Sequence, residues 1–316
     1  MVTPTVAASP LPLDRSLRAG TAPRAGTTLA SLIELTKPRL AMLSVSTTMV
    51  AYAAARPEWN SSETTALLTG TMLSAGGALA LNQWRERDTD CMMERTRERP
   101  LPSGAISPSL ALAWSSTLAV LGVVILALAN HPLAALVSAT TIGLYVFAYT
   151  PLKRKTRWAT ELGAIPGALP PLIGFAAADG TISPLGWLVF ALIALWQMPH
   201  FFAIGWVCRD EYREAGFPLL PAIDADGQRT AGWSFGYCIA LVFASLLPFA
   251  LGFTGFVFAI AALGCGVAMT WRAWNFLQAT RGESEQAGNA AARRLFRASL
   301  IYLPLVLAAL LIDRAM

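Results

Sequence analysis

The sequence predicts an all-α polytopic membrane protein with about nine transmembrane helices, the N-terminus inside and the C-terminus outside. The chain of 316 residues is 55% hydrophobic and only 14% charged, with a mean hydropathy of +0.51, whereas a soluble domain is usually about 25% charged. The apolar residues form long runs, and the basic residues cluster between those runs. This pattern excludes a water-exposed globule and an ordinary nucleic-acid binder, which spreads its basic residues over a water-facing surface.

Nine apolar runs are long enough to cross a bilayer, which takes about 20 mostly apolar residues. The first run is the least apolar, and almost nothing separates the seventh from the eighth. The runs lie near residues 40–55, 65–83, 109–129, 133–150, 159–178, 185–206, 230–251, 253–275 and 297–312.

The positions of Lys and Arg test this count independently, because basic residues gather in the cytosolic loops of membrane proteins. With nine spans, all of the 24 basic residues except Arg56 and Arg314 fall on the side of the N-terminus. A missed or an extra span would break this alternation. We therefore expect a protein of the bacterial plasma membrane whose basic loops face the cytosol. The alternative is the mitochondrial inner membrane, with the basic loops facing the matrix.

The chain divides into a tail, residues 1–34, and one intramembrane domain, residues 35–316. Residues 1–30 are rich in Ala, Pro, Thr, Ser and Arg and lack the apolar core of a secretory signal peptide. They predict a disordered cytosolic tail, although a mitochondrial transit peptide has a similar composition. The four cysteines form no C-x-x-C pair, so we expect neither disulfides nor covalently attached haem.

The segment after the second span, NQWRERDTDCMMERTRERPLPSG at 82–104, carries an ordered set of oxygen-bearing side chains. Asn82, Glu86 and Asp90 are four residues apart and so share one helical face, whereas Asp88 lies away from it. Like charges at this spacing repel unless a positive group lies against them. Mg²⁺ prefers oxygen ligands and is usually shared between carboxylates and substrate phosphates. The segment predicts a diphosphate site with bridging Mg²⁺; the alternative is a salt-bridged cytosolic loop.

Several motifs resemble one protein family. The pattern N-x-x-x-D/E-x-x-x-D followed by M-x-R-T-x-x-R-P-L is similar to the first signature of the UbiA-like intramembrane prenyltransferases, and its longer form resembles the protohaem IX farnesyltransferase branch. LTKPRL at 35–40, YTPLKR at 149–154, GAIPGALPPLIG at 163–174 and WQMPHFFAIGWVCRDEYREAGFPLLP at 196–221 also resemble that branch. The resemblance implies nine helices, Mg²⁺ as cofactor, and farnesyl diphosphate and haem b as substrates.

The resemblance also implies roles for residues of the first signature and the fourth loop. Asn82, Glu86 and Asp90 would be catalytic and would hold Mg²⁺, with Glu86 where many members carry Asp. Arg binds phosphate oxygens in a fork and Lys as a point charge, although the topology alone also places basic residues on this side. The basic residues that would neutralise the diphosphate are Lys153, Arg154, Arg95 and Arg99.

The sixth span departs from the superfamily pattern. A second D-x-x-x-D is absent, because Cys208 and Tyr212 stand at its two acidic positions. If the helix continues past Trp206, Glu211 and Glu214 lie close to the helical face of His200. Which acid binds the metal stays open. The candidate metal ligands are Asp210, Glu211 and Glu214. Glu211 would also be catalytic, and Tyr212 would lie near the substrates.

His200 lies within the sixth span, where a polar group is costly and is a functional candidate by default. Imidazole is a common axial ligand of haem iron, so we expect His200 to contact haem or its propionates and to be catalytic. It could also accept a proton or hydrogen-bond a neighbouring helix. His131 lies in a short outer loop and is expected to be incidental.

The implied reaction transfers the farnesyl group to a haem vinyl group and adds water, giving haem O for terminal oxidases. One alternative is a prenyltransferase for a quinone precursor or another aromatic acceptor. Another is a haem carrier or assembly factor without turnover. Implied partners are the lipid bilayer and a haem A synthase or terminal oxidase assembly; no nucleic acid is expected.

Overall fold

The structure is a computed structural model that describes residues 28–56, 58, 60–282 and 284–316. Those residues form helices joined by turns and short loops. In chain order the helices are α1 (Thr28–Leu35), α2 (Pro38–Ala55), α3 (Ser61–Asp90), α4 (Pro108–Ala129), α5 (Pro132–Leu152), α6 (Ala159–Asp179), α7 (Pro184–Val207), α8 (Arg209–Glu214), α9 (Leu220–Ile223), α10 (Gln228–Ala250), α11 (Phe256–Arg281) and α12 (Glu285–Ala315).

The prediction of an all-helical membrane protein is confirmed. Within the described part of the chain, eight helices are long and apolar enough to cross a membrane: α3 to α7 and α10 to α12. Helix α2, with 18 residues, occupies the first predicted span but is not among these eight. The count of nine spans and the orientation therefore stay predictions.

The first helix lies almost entirely within the segment that the sequence assigns to the tail. Helix α1 occupies residues that the sequence assigned to the tail, so helical structure begins before residue 35. Residues 1–27 of the predicted tail lie outside the described part of the chain.

The helices begin where the sequence supplies capping residues. Ser107 and Ser183 precede Pro108 and Pro184, and each serine hydroxyl accepts a backbone N–H of the first turn at 3.3 Å. Proline suits the first helical position because the N–H that it lacks would be unpaired there. Helix α5 changes to a π-helix over Leu144–Tyr149, and such π segments occur frequently at functional sites.

The core lies between helices, and apolar side chains also cover the outer surface. Trp196 and Trp206 of α7 pack with Phe276 of α11 in the largest buried cluster. On the outside, Leu128 is 83% exposed and Phe243 is 69% exposed. A soluble protein rarely exposes such a large apolar surface, whereas lipid tails solvate it in a membrane.

Small residues bring α3 and α4 into close contact. A side chain at Gly122 would overlap the backbone of Gly70 and Ser74, and one at Gly77 would overlap the backbone of Ala119. Helices in membranes associate through such small-residue contacts because lipid removes most of the hydrophobic driving force. This contact fixes α3, the helix that carries the acidic segment, against its neighbour.

We predict that Gly122→Ala lowers the free energy of unfolding by about 1–3 kcal/mol, as overpacking of a close contact does. Gly264→Ala in α11 is the matched control, because open space surrounds Gly264 and alanine favours a helix over glycine by about 1 kcal/mol. Unfolding of both variants in detergent micelles measures the difference. Equal stabilities would contradict the packing described for α3 and α4.

Candidate active site

Two adjoining cavities lie between the helices. The polar cavity, about 100 Å³, is lined mainly by residues from the end of α3, the loop after it and the end of α5. The apolar cavity, about 410 Å³, is lined by residues of α2, α3, α5, α6, α7 and α12. Four residues line both cavities and therefore form the border between them: Tyr145, Tyr149, Lys153 and Tyr212.

Asn82, Glu86 and Asp90 lie together on the wall of the polar cavity. They occupy the last turns of α3 and are only 2%, 8% and 4% exposed. Asp88 differs, because its side chain is 79% exposed and lies 3.8 Å from Arg87. The three residues that share a helical face are thus buried at the cavity, whereas Asp88, which lies off that face, is exposed.

Two cations compensate the buried carboxylates. Arg99 donates to Asp90 Oδ2 at 2.7 Å, and Lys153 Nζ lies 3.3 Å from Glu86 Oε1. The pKa of Lys153 responds to opposing effects: burial disfavours its charge, but Tyr149 and Glu86 outweigh burial and raise the pKa. A buried carboxylate without such a partner would be strongly destabilising.

The orientation of the Asn82 amide follows from its partner Thr150. The Thr150 hydroxyl donates its one hydrogen to the Tyr145 carbonyl at 2.8 Å, so it accepts from Asn82 Nδ2, 3.0 Å away. The π segment of α5 ends at this point, with the Thr150 N–H also on the Tyr145 carbonyl. The amide oxygen of Asn82 is therefore left as an acceptor.

The loop after α3 folds back so that two of its basic residues line the polar cavity. The Thr96 hydroxyl, in a residue that is 1% exposed, donates to the Asp90 carbonyl at 2.8 Å. This bond folds the loop over the end of α3, and Arg95 and Arg99 both line the polar cavity.

Arg154 is exposed and lines neither cavity. Both Lys153 and Arg154 lie in the turn after α5, and only Lys153 lines the cavities.

The sixth-span acids do not follow the expected helical face. Helix α7 ends at Val207, and a separate short helix, α8, begins after Cys208, so the faces expected for a continuous helix do not apply. Asp210 and Glu214 are exposed, and Asp210 pairs with Arg213 at 2.9 Å. Both acids lie outside the lining of either cavity.

Glu211 and Tyr212 lie closer to the polar cavity. Glu211 Oε2 lies 3.8 Å from Arg95 Nε, and this oxygen is buried without a hydrogen-bond donor. Tyr212 lines both cavities and packs edge-on against Phe217. Of the three candidate acids, Glu211 is the one that contacts a residue of the polar cavity.

His200 lines the apolar cavity. Its Nδ1 lies 2.8 Å from the Ser299 hydroxyl of α12. His131 instead caps α5, where its Nδ1 accepts the N–H of Leu133 at 3.1 Å. The two histidines of the chain therefore have different surroundings, and His131 has a structural partner.

Lys37 lines the polar cavity and was missed by sequence reasoning, which used it only for topology. It has a left-handed backbone with φ of 47°, which is uncommon for a residue other than glycine. Burial and the charge of Arg99 lower its pKa to about 8, against the opposing effects of Glu86 and Asp90. Its position in LTKPRL, directly before the proline that begins α2, was the available signal.

Tyr145 and Tyr149 were also missed. Their rings stack with centroids 5.5 Å apart on the π segment of α5. Tyr149 is the first residue of the YTPLKR motif, but two tyrosines four residues apart in an apolar span do not by themselves indicate a role. Only the fold shows that they separate a charged cavity from an apolar one.

The residues of the polar cavity suit Mg²⁺ with a diphosphate. Two carboxylates and an amide oxygen are hard oxygen donors, and Mg²⁺ is usually held by one or two carboxylates together with phosphate oxygens. Among the described residues, no three His, Cys, Asp or Glu side chains converge as a metal cage. The donor set therefore fits a metal that is completed by its substrate.

The sequence matches known proteins over most of its length. The profile of the UbiA prenyltransferase family matches residues 44–309. A protoheme IX farnesyltransferase from Opitutus terrae is 45% identical over 93% of this chain and 98% of its own length. One from Solibacter usitatus is 40% identical over 89% of this chain and 98% of its own length.

Solved structures show the same fold at low sequence identity. A digeranylgeranylglyceryl phosphate synthase superposes with a TM-score of 0.76 at 16% identity, over 92% of this chain and 99% of its own. A UbiA homologue from Archaeoglobus fulgidus, bound to GPP and Mg²⁺, superposes with a TM-score of 0.64 at 13% identity, over 89% and 99%. By its match to the family profile and to these sequence relatives, the chain belongs to the UbiA prenyltransferase family and, within it, to the protohaem IX farnesyltransferases.

Proposed function

We propose that this enzyme transfers the farnesyl group of farnesyl diphosphate to a vinyl group of haem b and adds water, giving haem O. The observation that carries the proposal is the border between the two cavities. A cavity with both carboxylates and cations adjoins a larger apolar cavity through Tyr145, Tyr149, Lys153 and Tyr212. A molecule with a diphosphate head and a hydrocarbon chain fits this arrangement.

The polar cavity would hold the diphosphate. Lys37, Arg95, Arg99 and Lys153 line it and would contact the phosphate oxygens. Lys37 suits this role most directly, because its ammonium group has no ion-pair partner among the described residues, whereas Arg99 and Lys153 already pair with carboxylates.

The metal site belongs to the same proposal. Asn82, Glu86 and Asp90 would hold Mg²⁺, and Glu211, beside Arg95, is the best placed acid of the sixth span to assist. When bound, Mg²⁺ would neutralise the negative charge that develops as the diphosphate leaves. The Archaeoglobus fulgidus structure bound to GPP and Mg²⁺ supports this use of the fold.

The apolar cavity would hold the farnesyl chain and the acceptor. Its volume of about 410 Å³ lies within the range of ligand sites, roughly 300–1,000 Å³. Gln197 and His200 are the polar side chains that α7 contributes to its wall. The tyrosine rings at the border would stabilise the cation-like farnesyl C1, because an aromatic face attracts positive charge.

The proposed reaction breaks the C1–O bond of farnesyl diphosphate, the π bond of the vinyl group and one O–H bond of water, and it forms a C–C bond and a C–O bond. The C1–O bond of farnesyl diphosphate breaks, and the diphosphate leaves with the electron pair. The π electrons of the haem vinyl group form a bond to C1, which leaves a cation beside the porphyrin. Water adds to that cation and releases a proton. The chain supplies the anion site and the exclusion of bulk water, which protects the cation from early hydrolysis.

The proposal also assigns a cellular position. The polar cavity lies among the basic loops, which the positive-inside rule places in the cytosol. In a bacterial plasma membrane the reaction would therefore face the cytosol and would deliver haem O to terminal oxidases, either directly or through a haem A synthase.

An assay with purified protein, haem b, farnesyl diphosphate and Mg²⁺ tests the reaction. We predict a haem product that carries one farnesyl group plus one water, detected by mass spectrometry and abolished by EDTA. Asp90→Asn is expected to lower kcat/KM by roughly 100-fold, the scale of a lost transition-state electrostatic contact. Asp88→Asn is the matched control and should retain activity within about twofold, because Asp88 is exposed on the same helix.

Three results would contradict the proposal. A prenylated quinone precursor with unchanged haem would favour another acceptor. Haem binding without turnover, under conditions where a relative such as the Opitutus terrae protein is active, would favour a carrier. Full activity of Asp90→Asn would remove the metal site from the reaction.

We predict that Lys37→Gln raises the KM for farnesyl diphosphate by about 10-fold or more, with little change in the KM for haem b. A hydrogen bond to a charged group contributes about 1.5–3 kcal/mol, and the amide cannot replace the ammonium charge. Lys155→Gln is the control, because Lys155 is exposed and lines neither cavity. Equal effects of the two substitutions would contradict a diphosphate contact for Lys37.

A further inference from the structure

Ser299 of α12 contacts His200 through a hydroxyl that is shared between two partners. Its Oγ lies 2.6 Å from the Phe296 carbonyl oxygen and 2.8 Å from His200 Nδ1. A carbonyl oxygen only accepts, and a serine hydroxyl has one hydrogen to donate. When that hydrogen is on the Phe296 carbonyl, Ser299 accepts from His200, so the proton of the imidazole is on Nδ1.

The surroundings hold both residues in place. Ser299 is fully buried, and its carbonyl accepts a hydrogen bond of 2.8 Å from Trp196 Nε1. The His200 ring stacks on Trp196 with centroids 5.0 Å apart and lies against Phe296 at 4.8 Å. These contacts from α7 and α12 fix the ring plane, so the imidazole cannot rotate freely to exchange its two nitrogens.

The second ring nitrogen, Nε2, is left without a partner in the described part of the chain. No described carboxylate forms an ion pair with His200, and a charged imidazolium without a partner is costly in apolar surroundings. A neutral ring with its proton on Nδ1 carries a lone pair on Nε2. His200 lines the apolar cavity, so a molecule bound there can approach the imidazole ring.

We propose that Ser299 is a positioning residue that keeps His200 in the Nδ1–H tautomer, so that Nε2 can ligate the iron of the acceptor haem. Imidazole nitrogen is a common haem ligand, and the hydrogen bond on one ring nitrogen sets which nitrogen binds metal. The identity of the acceptor rests on the proposed function; the tautomer rests on the contacts of Ser299 alone.

His131 provides an internal reference. Its Nδ1 accepts the Leu133 N–H at 3.1 Å, so a neutral His131 carries its proton on Nε2. The chain has two histidines, and the proposal assigns them opposite tautomers. Nitrogen-15 NMR distinguishes the two forms without any ligand.

The first experiment is NMR of the full, untagged chain with ¹⁵N-labelled histidine, at neutral pH and without haem. We expect one histidine of each tautomer, and His131→Asn should leave only the Nδ1–H form. Ser299→Thr, which keeps the hydroxyl, should preserve that form, whereas Ser299→Ala should shift His200 toward a mixture. An Nε2–H tautomer for His200 in the wild type, or no change in Ser299→Ala, would overturn the positioning role.

The second experiment titrates the same variants with haem b and follows the absorption spectrum. We expect a nitrogen-ligated spectrum in the wild type, its loss in His200→Ala, and haem affinity lowered about 10-fold in Ser299→Ala but preserved in Ser299→Thr. Groups that orient a metal ligand typically change metal affinity by about 10- to 100-fold. An unchanged spectrum in His200→Ala would overturn ligation by His200. Absence of haem binding by the wild type would overturn the proposed acceptor and leave the tautomer result standing.

Discussion

The site depends on two carboxylates buried one helical turn apart at the end of a membrane-spanning helix. Glu86 and Asp90 repel each other and lose hydration together, so each requires a cation at close range. Arg99 reaches Asp90 from the following loop, and Lys153 reaches Glu86 from the end of α5. These two ion pairs therefore connect the loop and the end of α5 to α3, and all four residues line the polar cavity.

The border between the cavities explains how one site can stabilise both the negative diphosphate and the cation-like carbon of the proposed reaction. The leaving diphosphate would stay among Lys37 and the arginines, where fixed charges stabilise it without reorganisation. The cation-like carbon would stay beside the rings of Tyr145 and Tyr149, which line both cavities. The π segment of α5 places these rings at the border and, through Thr150, also orients Asn82. One local irregularity of α5 thus contributes to both halves of the proposed reaction.

Much of this arrangement could be predicted from the sequence, because apolar runs and four-residue spacing depend on local geometry. A helix lies at each of the nine predicted spans, and the three residues that share a face on α3 meet in one cavity. The rest depends on tertiary contacts. Lys37 reaches the cavity through a left-handed turn, and Arg154 is exposed in the turn after α5. The helix break at Cys208 separates Glu214 from the expected face, and no spacing rule signals that break.

The most direct test is an experimental structure of the full chain with Mg²⁺, haem b and a non-reactive thiol analogue of farnesyl diphosphate. The account predicts the diphosphate among Lys37, Arg99 and Lys153, the farnesyl C1 at the tyrosine border, and the porphyrin in the apolar cavity with its iron at His200. A diphosphate bound away from Glu86 and Asp90, or a haem bound outside the apolar cavity, would contradict the account.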